Sequence, residues 1–354
     1  MRTLLVLGLF ALAAVAGCID DGTGSPGDDA TIDHTAAAPA VDAAATIADL
    51  RAFAETYPVR SGNQPDHEAS RRWLMDKFDA YGLDVYRHDF ITGIPQTNVV
   101  GIKWGTLRDQ WIVVGGHYDV VPTPACPTGP NVPACPAGVE SQGMYDDGSG
   151  TMLTLHLAKA YAKVNTTYTM AFVAFDGEER GLQGSGNFSE TFANGLSPYG
   201  NLTIHAMLDL DMFGLNWPSV DAPIYFDSNA PQVDDAVRAV AEQVGVPADE
   251  IKYQGISLGR SDYAHFFDLE VPTGFFISNF EEYQAPANVP AAGQNPAVSA
   301  YPFWHRLDTW ETMVLMAGSE ADVEAGFQTA ADLATGLLWA FDDPAATYTV
   351  EPAE

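Results

Sequence analysis

A mostly parallel β-sheet covered by helices on both faces is the fold class this sequence predicts, and three observations predict it. Apolar strand-like runs alternate with helical patterns along the chain, as in α/β folds. Clusters of His, Asp and Glu fall at the carboxyl ends of the apolar runs, where open α/β sheets bind ligands. The chain has 354 residues, 47% of them hydrophobic and 18% charged, which suits a folded protein with ample core.

Taken in order, residues 1–17 carry one arginine and a short apolar run, the pattern of a secretory signal. Val15-Ala16-Gly17-Cys18 resembles the lipobox of bacterial lipoproteins, so Cys18 is expected to be diacylated. Ile19 after it favours the outer membrane, and the chain is expected to be exported from a bacterial cell to the envelope or beyond. Residues 18–44 are rich in Asp, Gly, Pro and Ala and read as a flexible acidic tether. A single domain is expected over 45–345, with a tail at 346–354.

Within that domain, helical patterns cover 45–57 and 65–81, the second ending at Gly82. Strand-like runs follow at 83–90, 97–104 and 111–121. Cys126 and Cys135 lie close together in a proline-rich loop, and an exported chain can oxidise them to a disulfide. A helix begins just after Asp146. Apolar strands are expected at 167–176, 202–214 and 271–278, a helix at 231–245, and a long closing helix at 319–343.

The net charge is −31, from 16 basic and 47 acidic side chains. A surface so acidic repels nucleic-acid phosphates and anionic headgroups, which excludes nucleic acid as a partner and leaves membrane association only to a lipid anchor.

The chemistry is carried by five short segments. His117-Tyr118-Asp119 ends a strand, where His117 and Asp119 are expected on one side, the carboxylate fixing the imidazole's tautomer. Asp146 and Asp147 sit in a glycine frame at a helix start, Glu178 and Glu179 follow a buried strand, and Asp209 and Asp211 end another. His305 follows a Pro/Ala-rich stretch. Each has an ordinary reading by itself: a solvated strand-end histidine, a helix cap, an acidic first helical turn. Their joint order is harder to explain that way. Five nitrogen and oxygen ligands with one carboxylate shared make two four-coordinate sites once a bridging water is added, the construction of a two-zinc hydrolase. The remaining histidines, His34, His67, His88, His156, His205 and His265, fit this pattern less well and read as structural or solvated.

These motifs resemble those of the zinc-dependent aminopeptidases of clan MH, peptidase family twenty-eight, across roughly residues 45–342. The resemblance implies a three-layer α/β/α sandwich with a mixed, mostly parallel eight-stranded sheet and two zinc ions at strand ends. It assigns one zinc to His117 and Asp211, the other to Glu179 and His305, with Asp146 bridging. Glu178 becomes the general base and acid, Asp119 and Asp308 stand behind the ligands, and the bond between Asp146 and Asp147 is expected to be cis. Arg260 and Asp262 resemble a segment near the substrate. Trp304 replaces a tyrosine that many members carry before the last histidine, which leaves Tyr301 as the nearest upstream hydroxyl.

The function implied is removal of N-terminal residues from peptides with a free N-terminus by a monomeric enzyme. Two alternatives stand beside it. A glutaminyl-peptide cyclotransferase shares the fold and the Phe175–Glu179 motif, and a non-catalytic receptor or binding homologue shares the fold without the full ligand set.

Overall fold

The computed structural model describes residues 32–121, 141–216, 222–255, 260–279, 303–305 and 307–350. Cys18, Cys126, Cys135 and Tyr301, and with them the expected anchor and disulfide, lie outside the described residues. From Asp33 onward the chain forms one compact unit.

Eight strands form one sheet: β1 (Asp84–Ile91), β2 (Pro95–Lys103), β3 (Leu107–His117), β4 (Tyr168–Phe175), β5 (Thr203–Leu210), β6 (Ile224–Ser228), β7 (Ile251–Gly255) and β8 (Thr273–Ser278). Their spatial order is β1-β2-β4-β3-β5-β8-β6-β7. The central run β4-β3-β5-β8 is parallel, as is β6-β7, while β1-β2, β2-β4 and β6-β8 are antiparallel. The mixed, mostly parallel sheet expected from the sequence is therefore present.

Strand β4 shows why both faces are covered, since every one of its residues is buried. Met170, Phe172 and Ala174 face the larger core, and Ala171, Val173 and Phe175 face a second one. The larger core is filled by α1 (Ala43–Thr56), α2 (Pro65–Ala80), α3 (Gly148–Tyr161), α5 (Pro231–Val244), α7 (Trp310–Ala317) and α8 (Glu320–Phe341). The smaller core is closed by α4 (Gln183–Ala193) and α6 (Ala264–Asp268) through Phe188, Phe192 and Phe266. No helix among the described residues is long and apolar enough to cross a membrane.

Three expectations need correction. The tether does not continue to residue 44: the His34 ring pairs through Nε2 with the Asp342 carboxylate at 2.9 Å and packs on Trp339, whose indole N–H donates to the Ala36 carbonyl. Asp42 then caps α1 through the Ala45 N–H. The tail is also partly docked, because the Tyr348 hydroxyl donates to the Ala340 carbonyl and its ring packs edge-on to Phe341. Finally, β3 stops at His117, so Asp119 lies just beyond the strand, although its carboxylate stays 3.5 Å from His117 Nδ1.

Candidate metal centre

The site is assembled where the parallel strands end. His117 is the last residue of β3, Glu178 and Glu179 form a single 3-10 turn just after β4, and Asp211 follows β5 directly. Gly177 makes the turn out of β4 in the left-handed region, at φ 76°. Asp146 precedes the N-cap of α3, and the Asp146–Asp147 bond is cis. The start of α3 approaches β5 so closely that a Cβ on Gly150 would collide with the Leu210 carbonyl oxygen.

Asp147 explains how these pieces are held in register. Its Oδ1 accepts from Gly150 N at 2.8 Å and from Met212 N at 3.1 Å, and its Oδ2 accepts from His117 N at 3.1 Å. One carboxylate thereby ties α3, the end of β5 and the end of β3.

The six expected side chains converge. His117 Nε2 lies 3.3 Å from Asp146 Oδ1 and 3.8 Å from both Asp211 Oδ1 and Glu178 Oε2. His305 Nε2 lies 3.1 Å from Asp146 Oδ2 and 3.2 Å from Glu179 Oε2. Asp146 thus offers one oxygen to each histidine, the arrangement of a bridging carboxylate. Two triads capable of holding a metal ion result, His117–Glu178–Asp211 and Asp146–Glu179–His305. Two ligand atoms on one tetrahedral zinc stand roughly 3.4 Å apart, so the separations suit shared coordination. His305 itself takes a left-handed backbone, φ 58°, uncommon for a residue with a side chain.

Electrostatics test whether a cation fits. Burial opposes ionisation of Asp146, but hydrogen bonds from His117 and His305 outweigh it and hold the carboxyl well below its usual range. Burial raises Glu179 to about 7, with the Asp146 charge adding to it, and raises Asp211 to about 6. Glu178 is pushed well above its ordinary value, first by burial. Burial works against a charge on His305, yet the carboxylates of Asp146 and Glu179 raise it to about 10. The cluster therefore has more buried negative charge than its two imidazoles can offset. Asp146 Oδ2 and Asp211 Oδ1 are buried, and apart from the His305 imidazole beside Asp146 Oδ2 no well-aligned donor meets them among the described residues. Buried, under-satisfied carboxylate oxygens beside imidazole nitrogens fit a divalent cation such as zinc, which supplies the missing positive charge.

Behind this set, the roles expected of Asp119 and Asp308 change in detail. His117 Nδ1 meets the main-chain oxygen of Asp119 at 3.1 Å, while the Asp119 carboxylate is 3.5 Å away and accepts from Glu178 N at 3.1 Å. The carbonyl fixes the tautomer, and the carboxylate places the Glu178 turn. Asp308 accepts from the N–H groups of Tyr145 and Asp146, at 2.9 and 2.8 Å through Oδ2. It holds the bridging residue's backbone.

Asp262, expected on the substrate side, is fully buried, and its charge is among those that raise Glu178. Arg260 is exposed, and Trp304 lies half-buried against the His305 ring, 3.9 Å between centroids. The other histidines have structural partners: His67 with Asp176, His156 with Asp49, His88 with Asn98, and His205 stacked on Tyr168. The sequence reading passed over Arg60 and gave Asp147 no task beyond its cis bond. Both act on main-chain groups, so no spacing motif marks them; for Asp147 the glycine frame around it was the available signal.

Comparison with known proteins places this geometry in context. The family model described as Peptidase family M28 matches residues 98–317, well over half of the chain. Aminopeptidase Y of Saccharomyces cerevisiae is 30% identical over 205 residues, covering 57% of this chain and 34% of the yeast protein. Aminopeptidase YwaD of Bacillus subtilis is 28% identical over 185 residues, covering 51% and 35%. A probable zinc metalloprotease of Pyrenophora teres is 29% identical over 189 residues, covering 48% and 37%. The matched region thus spans little more than a third of each of these curated relatives. Among solved structures, a zinc aminopeptidase from Bacillus subtilis superposes with a TM-score of 0.64 at 16% identity, covering 85% of this chain and 95% of that one. A glutaminyl cyclase from an Acidobacteriales bacterium also gives 0.64, at 19% identity, covering 89% and 99%. At such identities the likeness shows the fold, and the site residues must distinguish the chemistry.

Proposed function

The chain belongs to peptidase family M28, and from that premise we propose that it is a zinc-dependent aminopeptidase that hydrolyses N-terminal residues from peptides. The observation that carries the reading is the bridging geometry of Asp146, one carboxylate oxygen toward His117 and the other toward His305. His117 and Asp211 would hold one zinc ion, Glu179 and His305 the other, and Asp146 both.

Bound zinc would supply Lewis acidity toward the scissile carbonyl and the attacking water. The remaining work belongs to side chains of this chain. Glu178 is placed by the hydrogen bond from its own N–H to Asp119, beside the ligands. Its Oε2 takes the proton of the attacking water and passes it to the leaving amine. Burial raises its proton affinity, which suits a group that must hold that proton between the two steps. Glu178 and its acidic neighbours favour a substrate bearing an α-ammonium, so a free N-terminus is the recognised end.

A panel of substrates tests the reading. Aminoacyl-amide substrates should be cleaved, N-acetylated versions should not, and a chelator should abolish turnover until zinc is restored. Ring closure of an N-terminal glutamine peptide without hydrolysis would instead assign the chain to the cyclotransferase chemistry. No turnover of either kind with zinc bound would favour a non-catalytic binding role. The same reading takes the chain to be exported and anchored by lipid at Cys18, on the support of the lipobox-like Val15–Cys18 segment.

A further inference from the structure

Between α1 and α2 lies Arg60, a cation with none of its surface exposed. Its four hydrogen bonds all end on main-chain carbonyls. Nε donates to Tyr118 O at 2.7 Å, one terminal nitrogen donates to Tyr57 O at 3.0 Å and Gln142 O at 2.7 Å, and the other donates to Gly143 O at 2.9 Å. Its own carbonyl accepts from Val120 N at 3.1 Å. The guanidinium face packs over Phe53, 4.8 Å from the ring centroid.

Those acceptors are not scattered. Tyr118 lies between His117 and Asp119, so that carbonyl belongs to the turn presenting the first histidine. Gln142 and Gly143 lead into Tyr145 and Asp146, whose N–H groups are held from the opposite side by Asp308. Gln142 N also donates to the Asp308 carbonyl at 2.9 Å. The segment ahead of the bridging carboxylate is therefore gripped by Arg60 at its carbonyls and by Asp308 at its N–H groups. The planar guanidinium aims N–H groups from three nitrogens in fixed directions, whereas a lysine gathers its three donors on one nitrogen at the end of a flexible stem. Burying a charge with no carboxylate in direct contact is costly. The charges that stabilise it are the acids of the site and its backing, Asp308 first, then Asp119, Asp147 and Asp146.

We propose that Arg60 is a positioning residue of the metal centre, fixing the His117 turn against the Asp146 turn so that both ligands meet the same ion. The inference rests on the zinc reading given above. It assigns Arg60 no contact with substrate or metal; it acts through the main chain.

The test compares the wild-type protein with Arg60→Lys, Arg60→Met and a control, Leu74→Ala, which opens a cavity in the core on α2 away from the site. Zinc affinity is read by competition with a chromogenic chelator, and folding of the metal-free proteins by circular dichroism and thermal melting. Both Arg60 variants should fold and bind zinc at least about tenfold more weakly, the range typical of residues that orient ligands. Leu74→Ala should melt earlier yet bind zinc as the wild type does. Arg60→Met binding zinc within twofold of wild type would overturn the proposal. So would an equal loss of zinc affinity in Leu74→Ala, or failure of both Arg60 variants to fold, which would make Arg60 a residue of the fold alone. Wild-type protein that binds no zinc would instead remove the reading on which the proposal rests.

Discussion

At the scale of single residues, Glu178 and Glu179 show how one dipeptide divides two tasks. The 3-10 turn sends Glu179 to His305 and Glu178 toward His117. Glu178→Gln keeps the shape and removes the basic oxygen, so turnover should fall by several orders of magnitude while zinc content, measured by atomic emission, stays at the wild-type level; near-normal turnover would take Glu178 out of the role. The six converging residues were legible in the sequence because His, Asp and Glu are natural zinc ligands and all but His305 stand near a glycine or a strand end. The depth of Asp262 could not be read from sequence, which shows adjacency to a motif but not burial. Arg60 left no trace, since its partners are carbonyls of residues as far off as Gly143.

At the scale of elements, long apolar strands and amphipathic helices were legible, and short or atypical ones were not. β6 and β7 have five residues each, too few for a period to show. The sequence of α4, QGSGNFSETFA, holds two glycines and few apolar residues and predicts no element, yet it is helical, with Phe188 and Phe192 stacked one turn apart and closing the smaller core. The same region holds a titrating group. His88 on β1 faces Asn98 on β2, its register partner. Asn98 Oδ1 accepts from Asp176 N, so its amide N–H groups face Gly184 O and His88 Nδ1. The ring must then accept at Nδ1 and be neutral, and burial lowers its pKa to about 4. The unfolded chain binds that proton from about pH 6.5 downward, so the contribution is full above that pH and is lost as pH falls toward 4. The shift corresponds to about 3 kcal/mol at most. Denaturant titrations across this range should show a flatter acid slope for His88→Gln than for wild type. Equal slopes would mean that another group governs acid stability.

At the scale of the whole molecule, the parallel centre of the sheet decides where function sits. Strands β3, β4 and β5 run in one direction, so their carboxyl ends gather ligands far apart in sequence. Only part of the net charge of −31 gathers in the candidate metal centre, and acids such as Asp176 and Asp342 are buried elsewhere. The proposed anchor is tested by metabolic labelling with palmitate, which should mark the wild type and be lost in Cys18→Ala; unchanged labelling would refute it. The central claim is that the two histidine sites joined by Asp146 act as one two-zinc peptidase centre. Titrating zinc into the metal-free protein while recording peptide hydrolysis tests it most directly. Two equivalents should bind, with activity complete only when both sites are filled. Full activity at one equivalent with no second binding, or hydrolysis that persists without metal, would contradict it.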